Sequence, residues 1–325
     1  MTDRPQVQDP RDFAPAAAAQ HLQQGIVDAL QTLARRGVVV AVSGGVDSGV
    51  VAALCVRALG PERVFCLRLP EFWQGHSSDL GAQLADHLQA GSAEEAISPA
   101  LEALGCYRKQ NEAIRQVFPD YEPSWRYKIV RSAPSDRLIV FSLVVEKPDG
   151  TEERRRLPAD SYRALLSATN MKQRVRKLIE YTWADRLQFA VAGTPNLLEY
   201  DQGFFVKGGD GLADIKPIAG LYKEQVYALA RYLELPQGIS GRAPTTETFS
   251  LPQSQAEFYF GYPPEQMDLL LWGELNDVAP AYVAEETGLS TAAVEAAFRE
   301  ISRRREATNY LRAPAVLLSD ETVAG

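Results

Sequence analysis

The chain has 325 residues, 46% hydrophobic and 23% charged, with 42 acidic against 34 basic side chains and a formal charge of -8. That length can bury one large or two modest cores, and the acidic balance speaks against a surface built to coat nucleic acid. Three cysteines (Cys55, Cys66, Cys106) without a C-x-x-C pair, and three histidines without H-E-x-x-H, argue against a disulfide framework and a histidine-built metal site, so a reducing cytoplasm is the expected location.

Met1 to Pro15 is polar and Pro-rich and reads as a frayed tail rather than a signal peptide. No later apolar run has the length of a membrane span. Ala16 to Arg35 carries Leu22, Ile26, Leu30 and Leu33 at helical spacing, and Gly37 stops it. Val38 to Val42 is a continuous β-branched run, the mark of a parallel strand buried on both faces. A helix to Leu59 follows, then a second buried strand (Val64 to Leu69) and a helix from Asp79 to Leu88. Between Tyr107 and Ser167 the rhythm breaks. Tyr127–Val130, Leu138–Val145 and the charged Glu152–Leu157 read as strands, and Pro148-Asp149-Gly150 reads as a turn. This stretch is expected to be a β-rich insertion, serving either as a peripheral flap or as a lid. Phe189–Ala192 reads as a short strand, Ile215–Ala219 as strand-like, and Lys223–Leu233 as a helix. Strands alternating with helices predict an α/β fold, a doubly wound parallel sheet whose ligand site lies at the carboxyl ends of the strands.

The strongest local signal is Val42-Ser43-Gly44-Gly45-Val46-Asp47-Ser48, between a buried strand and a helix. Paired glycines let the backbone approach an anion. The new helix terminus points its amides and positive dipole end at it, which suits a phosphate. Ser43 and Ser48 add hydroxyls. Asp47 is either an N-cap or, because a carboxylate repels phosphates unless a cation intervenes, a Mg²⁺ ligand. No lysine follows the glycines as a Walker loop requires. The loop resembles that of the ATP pyrophosphatase superfamily, which implies an adenine nucleotide alpha hydrolase-like fold and cleavage of ATP between its α- and β-phosphates.

Further segments narrow the resemblance. Gly193-Thr194 with Glu199, Gly203-Phe204-Phe205-Val206-Lys207-Gly208-Gly209-Asp210-Gly211-Leu212-Ala213-Asp214, and Pro217-Ile218-Ala219-Gly220-Leu221-Tyr222-Lys223-Glu224-Gln225 stand in order. Asn170 to Arg176 precedes them and Pro244-Thr245 follows. Together they are similar to the NAD synthetase family over about residues 22–275, apart from the insertion. Read as charges alone, Glu199 offers a second carboxylate beside Asp47. Lys223, at a helix start where the dipole disfavours a cation, is placed for a departing pyrophosphate. The resemblance further implies that Thr194 and Thr245 hold ATP and that Arg174, Lys207 and Asp214 hold deamido-NAD. Free ammonia, or ammonia from a separate protein, is then the expected nitrogen source and a homodimer the expected assembly.

The expected layout is an ATP pyrophosphatase-like domain over 16–275, interrupted at about 107–167, with a helical C-terminal segment over 276–325. On the acceptor side the pattern departs from the family. Thr308 to Pro314 carries no histidine where the family has a His-Lys-Arg cluster, and Pro244-Thr245 runs into Thr246-Glu247-Thr248-Phe249. A paralogue that amidates another carboxylic acid is therefore the competing expectation. A tRNA-modifying enzyme or nucleotide-binding regulator on the same loop stands behind it, lacking the cysteine pair or basic face it needs. Val283 to Glu295, near Arg303-Arg304-Arg305, resembles a helix-turn-helix. Glu295, Glu300 and the alanines of its second helix make a poor surface for phosphates, so a packing unit is expected and no nucleic-acid partner.

Overall fold

The computed structural model describes residues 9–71, 75–132, 140–241 and 249–317. Among them seven strands form two sheets: β1 (Val38–Ala41), β2 (Val64–Arg68), β3 (Gly91–Glu94), β4 (Arg126–Arg131), β5 (Phe141–Glu146), β6 (Glu152–Arg156) and β7 (Ala190–Ala192). The main sheet has the order β3-β2-β1-β7 and every pairing in it is parallel. Val38 and Val40 face the helices Pro15–Leu33, Val46–Leu59 and Lys223–Tyr232. Val39, Leu67 and Val191 face the opposite layer, built on the long helix Ala159–Leu187. Both faces of β1 are therefore dry, which is why its sequence shows no polar alternation.

One sequence expectation needs correction, and one strand was not expected at all. Ile215 makes only an isolated bridge to Ala192 rather than a strand, because Pro217 cannot donate to a ladder. Gly91-Ser92-Ala93-Glu94 has no strand-forming composition, yet pairs with β2 as β3: tertiary pairing overrides its weak propensity.

The second sheet, β4-β5-β6, is antiparallel. It is narrower than the 107–167 expectation, because the helix Cys106–Arg115 and the start of the helix Ala159–Leu187 occupy the ends of that range. Its apolar face buries Tyr127, Ile129, Leu143 and Val145 against Phe118, Phe249 and Phe258.

The C-terminal segment is helical, with Pro280–Thr287 and Thr291–Arg312. Val283, Val294, Ala297 and Ile301 pack on Trp272 and its neighbours. Arg304 pairs with Glu300 and lies over the Tyr259 ring, and Arg305 bonds Asp201 and Glu274 at 2.7 and 2.5 Å. The helix-turn-helix-like pair thus packs on the chain's own core and engages Arg304 and Arg305 there, while Arg303 is exposed. The three cysteines are buried free thiols. Among the described residues no helix is long and apolar enough to cross a membrane.

Candidate active site

The strand order reverses between β1 and β7, and a cleft of about 790 Å³ opens at the carboxyl ends of β1, β2 and β7, where an open α/β sheet places its ligands. Its floor is the loop after β1. Gly44 sits at φ +74°, a backbone conformation that strains any side chain, and Gly45 is the extended N-cap of the helix Val46–Leu59. The first-turn amides of that helix have no intrahelical acceptor and face the cleft end of the sheet. Ser48 acts inward: its hydroxyl donates to the Gly45 carbonyl at 3.0 Å and accepts from the Ser43 amide at 3.3 Å. It therefore holds the loop's curvature, while the Ser43 hydroxyl accepts the Gly45 amide at 3.3 Å.

Asp47 is the second residue of the helix rather than its N-cap. One of its oxygens accepts the Lys223 ammonium and the other accepts Asn196 Nδ2 at 3.0 Å. Asn196 caps the short helix Leu197–Gln202 reciprocally with Glu199: the Glu199 amide donates to Asn196 Oδ1 at 3.1 Å, and the Asn196 amide to Glu199 Oε2 at 3.2 Å. Gln255 Nε2 donates to Glu199 Oε1 at 2.8 Å. Asn196 thus bridges the two carboxylates singled out in the sequence. An Asn three residues before a Glu is a capping-box signature that was legible locally. Gln255, distant in sequence, had no such signal.

The charges are poised. Burial, reinforced by the Asp47 charge and opposed by Lys223, pushes the Glu199 carboxyl up to about 7. Burial works against the Lys223 ammonium, but Asp47 and Glu199 outweigh it and the group is raised. On the outer side of the same helix start, Asp268 accepts the Lys223 and Glu224 amides at 3.2 and 2.9 Å, and burial pushes it up to about 7. Within this cluster two carboxylates stand against one ammonium, a local deficit of positive charge at the phosphate-loop end of the cleft. No group of three His, Cys, Asp or Glu side chains converges as a metal cage among the described residues. A cation here must complete its shell from phosphate and water, which is the habit of Mg²⁺. The donor set fits that ion.

The remaining candidates divide. Thr194 lines the cleft beside Gly193. Arg174 and Lys207 line its far side. Arg174 Nε donates to the Lys207 carbonyl at 3.2 Å, and Lys207 Nζ to the Tyr310 carbonyl at 2.6 Å. Asp214 stands outside the lining: its carboxylate accepts the Val191 amide at 2.7 Å and the Tyr181 hydroxyl at 3.2 Å. Thr245 lies outside the described residues.

Sequence reasoning missed the buried Lys177–Glu180 pair at 2.6 Å and gave Arg176 no role of its own, whereas the stretch from Thr308 compared above with the family's acceptor side does line the cleft, as a C-terminal wall of Thr308, Tyr310 and Leu311. That wall approaches because Gly203, at φ +67°, leaves the space a Cβ would share with Thr308.

A family model described as NAD synthase matches residues 18–119 and 151–315, passing over 120–150. The chain is 48% identical over 303 residues to an NH(3)-dependent NAD(+) synthetase of Rhizobium meliloti (strain 1021), covering 91% of this chain and 90% of the relative. It is 49% identical over 300 residues to the protein of the same name from Mesorhizobium japonicum, covering 90% and 94%. In fold it is similar to an NMN synthetase from Francisella tularensis, with a TM-score of 0.65, 24% identity and coverage of 95% of this chain and 100% of that one. It is likewise similar to an NH3-dependent NAD synthetase from Campylobacter jejuni, with a TM-score of 0.62, 21% identity and coverage of 94% and 100%. A match over both halves of the chain, together with near-half identity to relatives of the same length, leaves one conclusion: the chain belongs to the NAD synthase family.

Proposed function

We propose that this chain is an ATP-dependent, ammonia-using ligase that converts deamido-NAD to NAD, with AMP and pyrophosphate as the other products. The observation that carries the reading is the Asp47–Lys223–Glu199 cluster beside the phosphate loop, at the head of a cleft that continues to Arg174 and Lys207. The acceptor carboxylate attacks the α-phosphate of ATP, the α–β bond breaks, and pyrophosphate leaves. Ammonia then attacks the carbonyl of the acyl-adenylate and AMP departs.

The loop amides after Gly44 hold phosphate oxygens, and Ser43 and Thr194 border them. Lys223 is buried and already charged by its two carboxylate neighbours. It needs no reorganisation to meet charge developing on the leaving group, which is where pre-placed electrostatics lowers a barrier. Mg²⁺ held by Asp47 and Glu199 would supply further neutralisation of the phosphates. Arg174 and Lys207 present cations to the phosphates of the dinucleotide. Asp214 acts from outside the cleft, by holding β7 at its middle residue Val191. Thr245 is assigned to ATP by the family pattern alone. Holding the reactants in line is the main requirement, so no Ser–His–Asp set is needed. A homodimer in the cytoplasm completes the reading.

Purified protein given Mg-ATP, deamido-NAD and ammonium is expected to form NAD, AMP and pyrophosphate in equal amounts. Pyrophosphate formed only with other carboxylic acids would move the reading to the competing paralogue, and ADP with phosphate would end both.

The position of Glu199 makes metal binding pH-dependent. Its carboxyl is raised to about 7 in the metal-free protein, and a bound cation requires the ionised form. Below pH 7 proton and metal compete. The apparent magnesium dissociation constant is expected to rise up to about tenfold per pH unit as the pH falls from 7 to 6, and to level off above 8. Titration with Mg²⁺ at pH 6, 7 and 8 checks this, and Glu199→Gln should flatten the dependence.

A further inference from the structure

Residues 120–150, which the family model passes over, supply β4 and β5. The edge strand β4 grips a segment of the cleft wall. The Leu251 amide donates to the Tyr127 carbonyl at 3.1 Å, and the Tyr127 amide donates to Ser250 Oγ at 2.9 Å. Gln253 Nε2 donates to the Ile129 carbonyl, and Lys128 pairs with Glu257 at 2.8 Å. Both faces of the sheet take part: Phe249 and Phe258 pack with Tyr127 and Ile129 on one, and Leu251 with Val130 and Val144 on the other.

Arg131 closes the seam. Its side chain is 3% exposed. One guanidinium nitrogen donates to the Tyr259 carbonyl at 2.7 Å, and the fork meets both Glu300 oxygens at 3.0 and 3.3 Å. Glu300 belongs to the helix Thr291–Arg312, which carries Thr308, Tyr310 and Leu311 into the cleft. The gripped segment carries Gln255, whose amide holds Glu199, and Phe258 and Tyr259, which line the cleft.

We propose that the insertion sheet is a brace that sets this wall, with Arg131 as its positioning residue, so that Gln255 holds Glu199 in place for the cation. The proposal rests on the ligase reading above. A peripheral flap would not send four backbone or side-chain bonds and an ion pair into a segment that touches a cleft carboxylate. A planar, five-donor guanidinium can serve a carbonyl and a carboxylate together; an ammonium serves them less well.

The test uses the full chain as wild type, Arg131→Met, Arg131→Lys, Gln255→Ala and the Met/Ala double variant. Two readouts are taken: the Mg²⁺ concentration that half-saturates pyrophosphate formation, and amide hydrogen exchange of metal-free protein across 249–260. Arg131→Met is expected to raise the half-saturating Mg²⁺ by about tenfold, the scale on which outer partners of metal ligands act. It should also speed exchange in 249–260 more than elsewhere. Arg131→Lys should fall between wild type and Met. The double variant should be no worse than Gln255→Ala alone, because both act through one segment.

A magnesium dependence within twofold of wild type, multiplying effects in the double variant, or exchange raised evenly across the whole chain would each overturn the brace. If Arg131→Met does not fold, Gln253→Ala probes the same seam with the same outcomes. Wild type that forms no NAD, AMP and pyrophosphate defeats the ligase reading instead, and the exchange pattern still reports on the brace.

Discussion

Asp47→Asn is expected to lower pyrophosphate formation by at least about 100-fold while the protein stays folded, because an amide neither pairs with Lys223 as a charge nor ligates magnesium strongly. In the wild type one Asp47 oxygen takes the ammonium and the other takes Asn196. The amide keeps the size and one acceptor, so Asn196 retains a partner. Breaking a buried pair usually costs about 3–5 kcal/mol, since it strands the remaining charge. Here Glu199 also acts on Lys223, and the Asp47 side chain is 19% exposed. The stability loss should therefore fall below that range. Removing the Asp47 charge should also let the Glu199 carboxyl fall from about 7, because that charge helps to raise it. Pyrophosphate release, thermal unfolding and a carboxyl titration followed by NMR check the three statements. Wild-type turnover by the variant would remove Asp47 from the cation site.

Lys223→Met has the larger expected effect on the metal-free protein. Its ammonium is the positive charge balancing Asp47 and Glu199, and the residue is 2% exposed. Without it two carboxylates face each other in a half-buried site, and one must take up a proton. Folded-state pKa values raised above those of the unfolded chain make stability fall as the pH rises through them, because the native state then binds the extra protons. Metal-free Lys223→Met should therefore lose stability steeply between pH 5 and 8, by more than wild type. Magnesium, binding only the folded form, should restore most of the loss. Turnover should drop by about 10²–10³-fold, the cost of removing one pre-placed group facing transition-state charge. Thermal unfolding with and without Mg²⁺ at both pH values decides the first part and steady-state kinetics the second. Stability independent of pH, or untouched by magnesium, would show that Lys223 is not the counter-charge of this pair.

What was legible beforehand follows the range of the interactions. β1, β2, the phosphate loop and the helix starting at Lys223 announced themselves through β-branched runs, paired glycines and a change of period, all properties of neighbouring residues. β3 did not, because four residues of Gly-Ser-Ala-Glu form a strand only once β2 offers its edge. Asp47, Glu199 and Lys223 were separately suspect as charges in odd places. That Lys223 would sit directly on Asp47 could not be known from positions so far apart in sequence.

The sequence by itself determined the α/β class, the anion-binding loop and the residue types that handle phosphate, because each rests on local backbone geometry and on the chemistry of single side chains. Only the tertiary structure decided which residues meet. It placed Asp214 outside the cleft and Thr308 and Tyr310 inside it, and it turned Ser48 inward. It also joined the β-rich insertion through Arg131 and Gln255 to the Glu199 carboxylate. The physical reason is that burial and long-range pairing set these positions and charges, and neither leaves a mark on a short stretch of sequence.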